Sequence, residues 1–285
     1  MIKGLLNVNK PKGFTSQDVV SVVRGILSTR EIGHMGTLDP QGEGVLLLGV
    51  GKGTRLFDLM LKKDKVYRAE FDFGYETDTL DADGRVEKTT TVIPSKEDIL
   101  KVLSSFLGEI DQVPPKYSAK KINGRKAYDI ARSGKDFELK SCKVTVYDIK
   151  ILERTGENKY MFEVHCSAGT YIRSLCRDIA YALGSLATMT SILRTRCGKF
   201  LIEDSISLDE LETVGAQAVL PLGFVLDDIR RYDVEDSYYD KLCNGVAYPV
   251  CIEMEQPFAV FCKNELFGLG EIKDGLLKIK TYLRD

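Results

Sequence analysis

The chain has 285 residues and carries 40 Lys and Arg against 42 Asp and Glu, a net charge of −2. With 44% hydrophobic and 29% charged residues it has the make-up of a globular protein, either one large domain with an appendage or two domains. Nothing after Met1 resembles a signal peptide, no segment is apolar enough to span a bilayer, and seven scattered cysteines beside two histidines exclude a zinc cluster in favour of free thiols in a reducing cytoplasm.

A short apolar segment at 5–8 meets the basic turn Asn9-Lys10-Pro11-Lys12-Gly13. Thr15 or Ser16 then caps a helix whose buried face is Val19, Val20, Val22, Val23, Ile26 and Leu27. Next comes Gly33-His34-Met35-Gly36-Thr37-Leu38-Asp39-Pro40. Its glycines and proline forbid regular structure and specify a bent loop. A residue before proline is pushed toward extended backbone, so the direction of Asp39 is restricted in advance. A strand at 45–50 anchors this loop to the core. Such a loop presents a catalytic group, or else Asp39 merely caps a turn.

Gly49-Val50-Gly51-Lys52-Gly53-Thr54 lacks the Walker spacing, so its glycines are read as the passage from the strand into a helix over 54–61. Residues 65–74 alternate as a strand with Ala69, Phe71 and Phe73 as the buried row, and Tyr67 is read as lying off that row, toward a cleft. Asp78, Asp81 and Asp83 crowd one short stretch without the spacing of a calcium loop, and Asp83-Gly84 reads as a hairpin turn. Ser95 caps a helix over 96–107, buried through Ile99, Leu100, Val102, Leu103, Phe106 and Leu107 and closed by Gly108.

Charge segregates after that helix. From Lys116 to Lys150 ten basic residues face four acids, with Tyr117 and Tyr128 among them and a short helix read over 126–132. A local basic surface with aromatic rings suits looped or single-stranded nucleic acid even when the whole chain is near neutral. Residues 203–240 carry eleven acids against Arg230 and Arg231. Between these runs lie strands at 144–152 and 160–166, then a helix capped by Thr170 and continuing to 183. Arg173 falls in its first turn, where a cation opposes the helix dipole unless it faces a carboxylate or a phosphate. Arg194 and Arg196 add two cations. From about residue 232, a short helix at 236–243 and brief strands joined at Lys263-Asn264-Glu265 and Asp274-Gly275 read as a small β-barrel accessory domain.

Four stretches, in this order and spacing, resemble the TruB family of tRNA pseudouridine synthases: GHMGTLDPQGEGVLLL from Gly33, KVYRAEF with TDTLDADG from Lys65, QVPPKYSAKKINGRKAY from Gln112 and GTYIRSL from Gly169. The resemblance implies an α+β catalytic domain at 1–228 built on a mixed, mostly antiparallel sheet. A thumb-like RNA-gripping insertion is placed at about 116–150, and a short PUA-like β-barrel at 229–285. It implies isomerisation of a tRNA T-arm uridine to pseudouridine with no cofactor or metal, by a single chain with no obligate protein partner. Asp39 matches the essential aspartate, Tyr67 the tyrosine that packs on the target base, and Arg173 the arginine that pairs with the aspartate. His34 matches the histidine beside the flipped nucleotide. Lys10, Lys12, Tyr171, Lys120, Lys121, Arg125 and Lys126 are read as RNA-binding.

The residue chemistry fits on its own terms. A guanidinium beside a carboxylate favours its ionised form, and a base buried in RNA must be swung out and stacked on an aromatic ring. The sequence leaves open whether the carboxylate attacks C1′, attacks C6 or removes a ribose proton. A guide-RNA-dependent, dyskerin-like synthase and a non-catalytic tRNA-binding or folding module are the alternatives weighed. A carboxylate glycosidase lacks an acid/base pair. The accessory domain is shorter than the family pattern, and Met35 with Gln41-Gly42-Glu43-Gly44 departs from the commoner small residues around the aspartate.

Overall fold

Strand β1 (Gly4–Lys10) and helix α1 (Ser16–Ile26) open the chain, followed by β2 (Ile32–His34) and β3 (Glu43–Val50). The structure, a computed structural model, describes residues 2–118, 120–122, 125, 126, 130, 137 and 139–284. A 3₁₀ turn (Gly51–Leu56) leads into α2 (Phe57–Leu61) and β4 (Lys65–Phe73), then the hairpin of β5 (Tyr75–Thr77) and β6 (Val86–Thr89). Next are α3 (Lys96–Leu103), β7 (Gly108–Gln112), the small pair β8 (Lys121–Ile122) and β9 (Arg125–Lys126), and the long strands β10 (Cys142–Arg154) and β11 (Lys159–Cys166). Helix α4 (Ile172–Ala182) precedes β12 (Ala187–Cys197), β13 (Phe200–Leu201), α5 (Leu208–Val214) and α6 (Leu222–Val225). The remainder is β14 (Arg231–Val234), α7 (Tyr239–Cys243), β15 (Tyr248–Pro249), β16 (Phe258–Cys262), β17 (Glu265–Lys273) and β18 (Leu276–Tyr282).

Nine strands form one sheet in the order β1-β3-β12-β4-β11-β10-β7, with β2 also on β3 and β13 also on β12. Only β3 and β12 run parallel, so the sheet is mixed and mostly antiparallel. The period of two along β4 puts Tyr67, Ala69, Phe71 and Phe73 on one face, each 9% exposed or less. This corrects the expectation that Tyr67 stands off the buried row. Phe71 stacks on Phe162 with ring centroids 4.4 Å apart, and Ile172, Leu175 and Ile179 of α4 cover them. Truncating Phe71 to alanine in this setting costs about 3–5 kcal/mol. On the β1 and β3 side, α1 packs Val19, Val20 and Val23 against Leu6 and Leu48. The Thr15 hydroxyl accepts from Asp18 N at 3.0 Å, and the Asp18 carboxylate from Thr15 N at 2.8 Å, a reciprocal cap that fixes where α1 starts.

The second sheet runs β14-β16-β17-β18-β15 and its path does not close, giving a five-stranded half-barrel in line with a PUA-like module. Lys263 with Asn264, and Asp274 with Gly275, all take positive φ, the two-residue turn geometry that matches hairpin twist. This sheet is not a free appendage. Leu269 and Leu283 enter a core with Leu5, Met35, Leu47 and Met60, the Lys52 ammonium donates to Arg284 O, and Arg55 Nη1 donates to Tyr282 O at 2.8 Å.

Several boundaries differ from the sequence reading. The helix expected over 54–61 is a 3₁₀ turn before a short α2, because the turn packs on β1. A Cβ on Gly53 would lie 1.9 Å from Gly4 O. Helix α3 stops at Leu103, since Leu100 and Leu107 are 50% and 46% exposed and the buried stripe is too narrow to carry it further. Thr170 does not cap α4: its hydroxyl donates to Ser167 O, and Tyr171 occupies the cap position. Lys126 belongs to β9, and apart from Ile130 the rest of the helix expected over 126–132 lies outside the described residues.

Candidate active site

Asp39 sits in the loop between β2 and β3, and neighbouring residues fasten that loop on both sides of it. The Ser16 hydroxyl, at the head of α1, accepts from Leu38 N at 2.9 Å and donates to Leu38 O at 3.1 Å. Pro40 O accepts from Gly13 N at 2.8 Å and from the Lys10 ammonium at 3.1 Å. Lys10 also donates to Pro11 O and Phe14 O, so its three donors are spent on carbonyls. The Asp39 side chain stays 45% exposed at a cleft of about 250 Å³ that Tyr67, Ser118, Tyr171, Arg173 and Arg194 also line.

Arg173, the second residue of α4, is 6% exposed. Its Nη2 pairs with Asp39 Oδ2 at 2.9 Å and donates to Tyr117 O at 3.1 Å. Its Nη1 pairs with Asp81 Oδ2 at 3.0 Å and donates to Thr79 O at 3.0 Å. Two carboxylates thus cover the cation that the helix dipole disfavours. Asp81, between β5 and β6, is fixed in turn by the Thr79 hydroxyl at 2.5 Å and Asp83 N at 3.2 Å. Burial pushes the Asp81 carboxyl up, against the pull of the Thr79 hydrogen bond and the Arg173 charge. Buried Gln112 sets the start of α4 by accepting from Tyr171 N at 2.8 Å and donating to Tyr171 O at 3.2 Å.

Burial pushes the Tyr67 phenol up to about 12, with the adjacent Arg194 guanidinium pulling the other way. Tyr67 is therefore a neutral ring at physiological pH, a stacking surface and hydrogen-bond donor rather than a phenolate base. Lys65, 5% exposed, donates to Leu61 O and Lys63 O at 2.7 and 2.5 Å, and burial lowers its pKa. Arg194, 3% exposed on β12, lies across from Tyr67 on one side and Gly44 on the other. Its Nε donates to Val45 O at 2.6 Å. Gly44 has φ +94, and a Cβ there would lie 2.3 Å from Arg194 O, so this approach of strands requires glycine.

A family model described as TruB family pseudouridylate synthase (N terminal domain) matches residues 24–172, and one described as tRNA pseudouridylate synthase B C-terminal domain matches residues 173–221. The chain belongs to the TruB pseudouridylate synthase family. Among its curated relatives, tRNA pseudouridine synthase B of Clostridium kluyveri is 42% identical over 97% of this chain and 91% of the relative. The same enzyme of Alkaliphilus oremlandii is 38% identical over 91% and 92%. Of solved structures, a Cbf5-Nop10-Gar1 complex contains a chain with TM-score 0.76 and 27% identity over 98% of this chain and 84% of that one. An H/ACA RNP bound to a substrate RNA containing 2′-deoxyuridine contains one with TM-score 0.74 and 25% identity over 99% and 85%.

In this TruB-family chain Asp39, Tyr67, Tyr171 and Arg173 line one cleft. His34 ends β2 opposite Leu48, two residues before the cleft-lining Gly36, and is not itself among the residues that line the cleft. Lys10 needs correction as an RNA contact. It is 0% exposed, burial lowers its pKa to about 8, and it acts as the strut under the Asp39 loop. Lys12 is exposed on the turn that Gly13 ties to Pro40. The Lys120 ammonium donates to Lys140 O at 3.3 Å, while the side chains of Lys121, Arg125 and Lys126 and all of Tyr128 lie outside the described residues. The sequence reading missed Asp81, Lys65 and Arg194. The acid-rich stretch 78–83 carried a signal, but nothing in it marks which acid meets Arg173. For Arg194 the sequence showed only one of two cations just before Gly198, and its place opposite Tyr67 comes from the sheet register.

Proposed function

We propose that this chain isomerises a uridine in the T-arm loop of tRNA to pseudouridine, acting as a single polypeptide in the cytoplasm. The observation that carries the reading is the Asp39 carboxylate, held at 2.9 Å by a buried arginine at a cleft that the neutral Tyr67 also lines. A volume of about 250 Å³ admits one nucleoside and not a base pair, so the target uridine is flipped out of the RNA to enter. Tyr67 supplies the ring on which the extruded uracil stacks, and Arg173 fixes the carboxylate against the ribose and base. The glycosidic bond breaks, the uracil turns, and C5 joins the ribose. Lys12 and the basic 116–150 segment supply phosphate contacts, and residues 229–285 form the PUA-like RNA-binding module. The curated relatives named tRNA pseudouridine synthase B support tRNA as substrate, because the 42% and 38% identity shared with two of them exceeds the 27% shared with the chain of the Cbf5-Nop10-Gar1 complex.

The test is to incubate the protein with an unmodified tRNA transcript and map pseudouridine chemically. Product in the T-arm loop is expected, and its absence with folded protein overturns the proposal. Asp39→Asn is expected to lower the rate by at least about a thousandfold, the scale for loss of a central catalytic group, with tRNA affinity unchanged or tighter because a carboxylate facing a polyanion is gone.

A further inference from the structure

The catalytic cleft and its approaches hold four buried cations, and three of them are engaged by carboxylates or by two or more carbonyls. All four contacts of the Arg173 Nη atoms go to Asp39, Asp81, Thr79 O and Tyr117 O. Lys65 is committed to two carbonyls and Lys10 to three. Arg194 differs. Its Nε is anchored on Val45 O and its side chain hydrogen-bonds the Tyr67 phenol, but no carboxylate pairs with its guanidinium among the described residues. The Nη1 atom lies 3.9 Å from the Cβ that any other residue would carry at Gly36, which also lines the cleft. A guanidinium stays charged at every working pH, and a buried charge without a counter-ion is disfavoured even when neutral groups accept its hydrogen bonds. Its retention here calls for an anion that visits the cleft.

The reaction supplies one. When the bond from C1′ to N1 breaks, the bonding pair moves onto the base, and the uracil carries negative charge shared by N1, O2 and O4. If the carboxylate first adds at C6, the charge again passes through the ring and O4. After rotation C5 bonds to C1′, the C5 proton leaves and N1 gains a proton, so no oxidant, reductant or co-reactant is needed. We propose that Arg194 is a catalytic residue whose guanidinium stabilises the negative charge that develops on the uracil while it is detached from the ribose. Arg173 orients the carboxylate, Tyr67 stacks the ring, and Arg194 holds its charge. Fixed donors aimed at developing charge in a water-poor cleft are a large source of rate enhancement.

The inference rests on the isomerase reading, and turnover by the wild-type protein on the same RNAs tests that reading separately. The experiment measures single-turnover conversion of the target nucleotide, by nucleoside digestion, on two tRNA transcripts, one with uridine and one with 5-fluorouridine. Fluorine at C5 stabilises the uracil anion by itself, so the fluorinated base depends less on an enzyme cation. With no C5 proton to lose, its rejoined product keeps fluorine at C5 and takes up water across N1 and C6, and conversion is read as loss of the starting nucleoside. Arg194→Met is expected to lower the uridine rate about 100- to 1,000-fold, the range for loss of one such donor, with tRNA Kd unchanged. Its loss on 5-fluorouridine is expected to be at least tenfold smaller. Arg194→Lys, which keeps a cation but loses the Nε anchor, is expected to fall between, with the same bias toward the fluorinated substrate; it carries the test if the methionine variant does not fold. Equal losses on both substrates, or a change confined to Kd, overturn the proposal.

Discussion

Asp81→Asn separates what the Arg173 network does for the reaction from what it does for the fold. Arg173 has four partners: Asp39 and Tyr117 O on one nitrogen, Asp81 and Thr79 O on the other. The amide keeps the shape of Asp81 and removes one charge-assisted bond, worth about 1.5–3 kcal/mol. If that amount is lost from the positioning of Asp39 in the transition state, the rate falls roughly 10- to 100-fold. Stability follows different arithmetic. The Asp81 carboxyl is raised above its ordinary value chiefly by burial, so the folded chain holds this proton more tightly than the unfolded chain does. A raised carboxyl contributes stability that is present below its unfolded pKa and lost as pH rises through the folded value. Ionising Asp81 at neutral pH therefore adds less to folding than its pairing with Arg173 suggests, and because Arg173 keeps Asp39 as a counter-ion the neutral isostere is expected to unfold within about 1 kcal/mol of the wild type. Single-turnover pseudouridine formation gives the rate and urea unfolding at pH 7 gives the stability. A variant with wild-type rate, or one that loses more than about 2 kcal/mol of stability, refutes the reasoning.

Tyr67→Phe tests the phenol: because burial raises Tyr67 to about 12, its contribution to stability is present below pH 10 and lost between pH 10 and 12. The wild type is thus expected to weaken relative to the phenylalanine variant by about 1–3 kcal/mol between pH 9 and pH 12 in urea unfolding, and parallel curves count against it. Lys10→Met leaves three carbonyls without their donor under the Asp39 loop, so a loss of about 2–4 kcal/mol in thermal unfolding is expected together with loss of turnover. Lys12→Ala, on the exposed neighbouring turn, is expected to leave stability alone and to reduce the salt dependence of tRNA binding by about one unit of slope.

Elements whose pattern is local were legible in the sequence. Period two marked β4, strands were placed at 144–152 and 160–166, a cap at Thr15 or Ser16 and one at Ser95 marked α1 and α3, and Lys263-Asn264 and Asp274-Gly275 marked two hairpins. Counting along β4 also places Tyr67 with Ala69, so its burial was available to the same reasoning and was misassigned. Other features depend on distant residues. Lys10 reads as a surface lysine until Pro40, thirty positions away, supplies a carbonyl for it. Asp81 is one acid among three until α4 brings Arg173 across a separation of 92 residues. The dipole argument required an anionic partner for Arg173 without naming Asp81, and the family resemblance supplied Asp39 alone.

Leu269 and Leu283, on and just after the last strands, belong to the same buried cluster as Met35, and Met35 lies four positions before Asp39. The tail therefore shares a core with the segment that leads into the Asp39 loop. A tail grafted from a relative that failed to refill those two positions would open a void behind the catalytic loop while leaving every active-site side chain intact. Any exchange of the tail has therefore to be solved as a packing problem first.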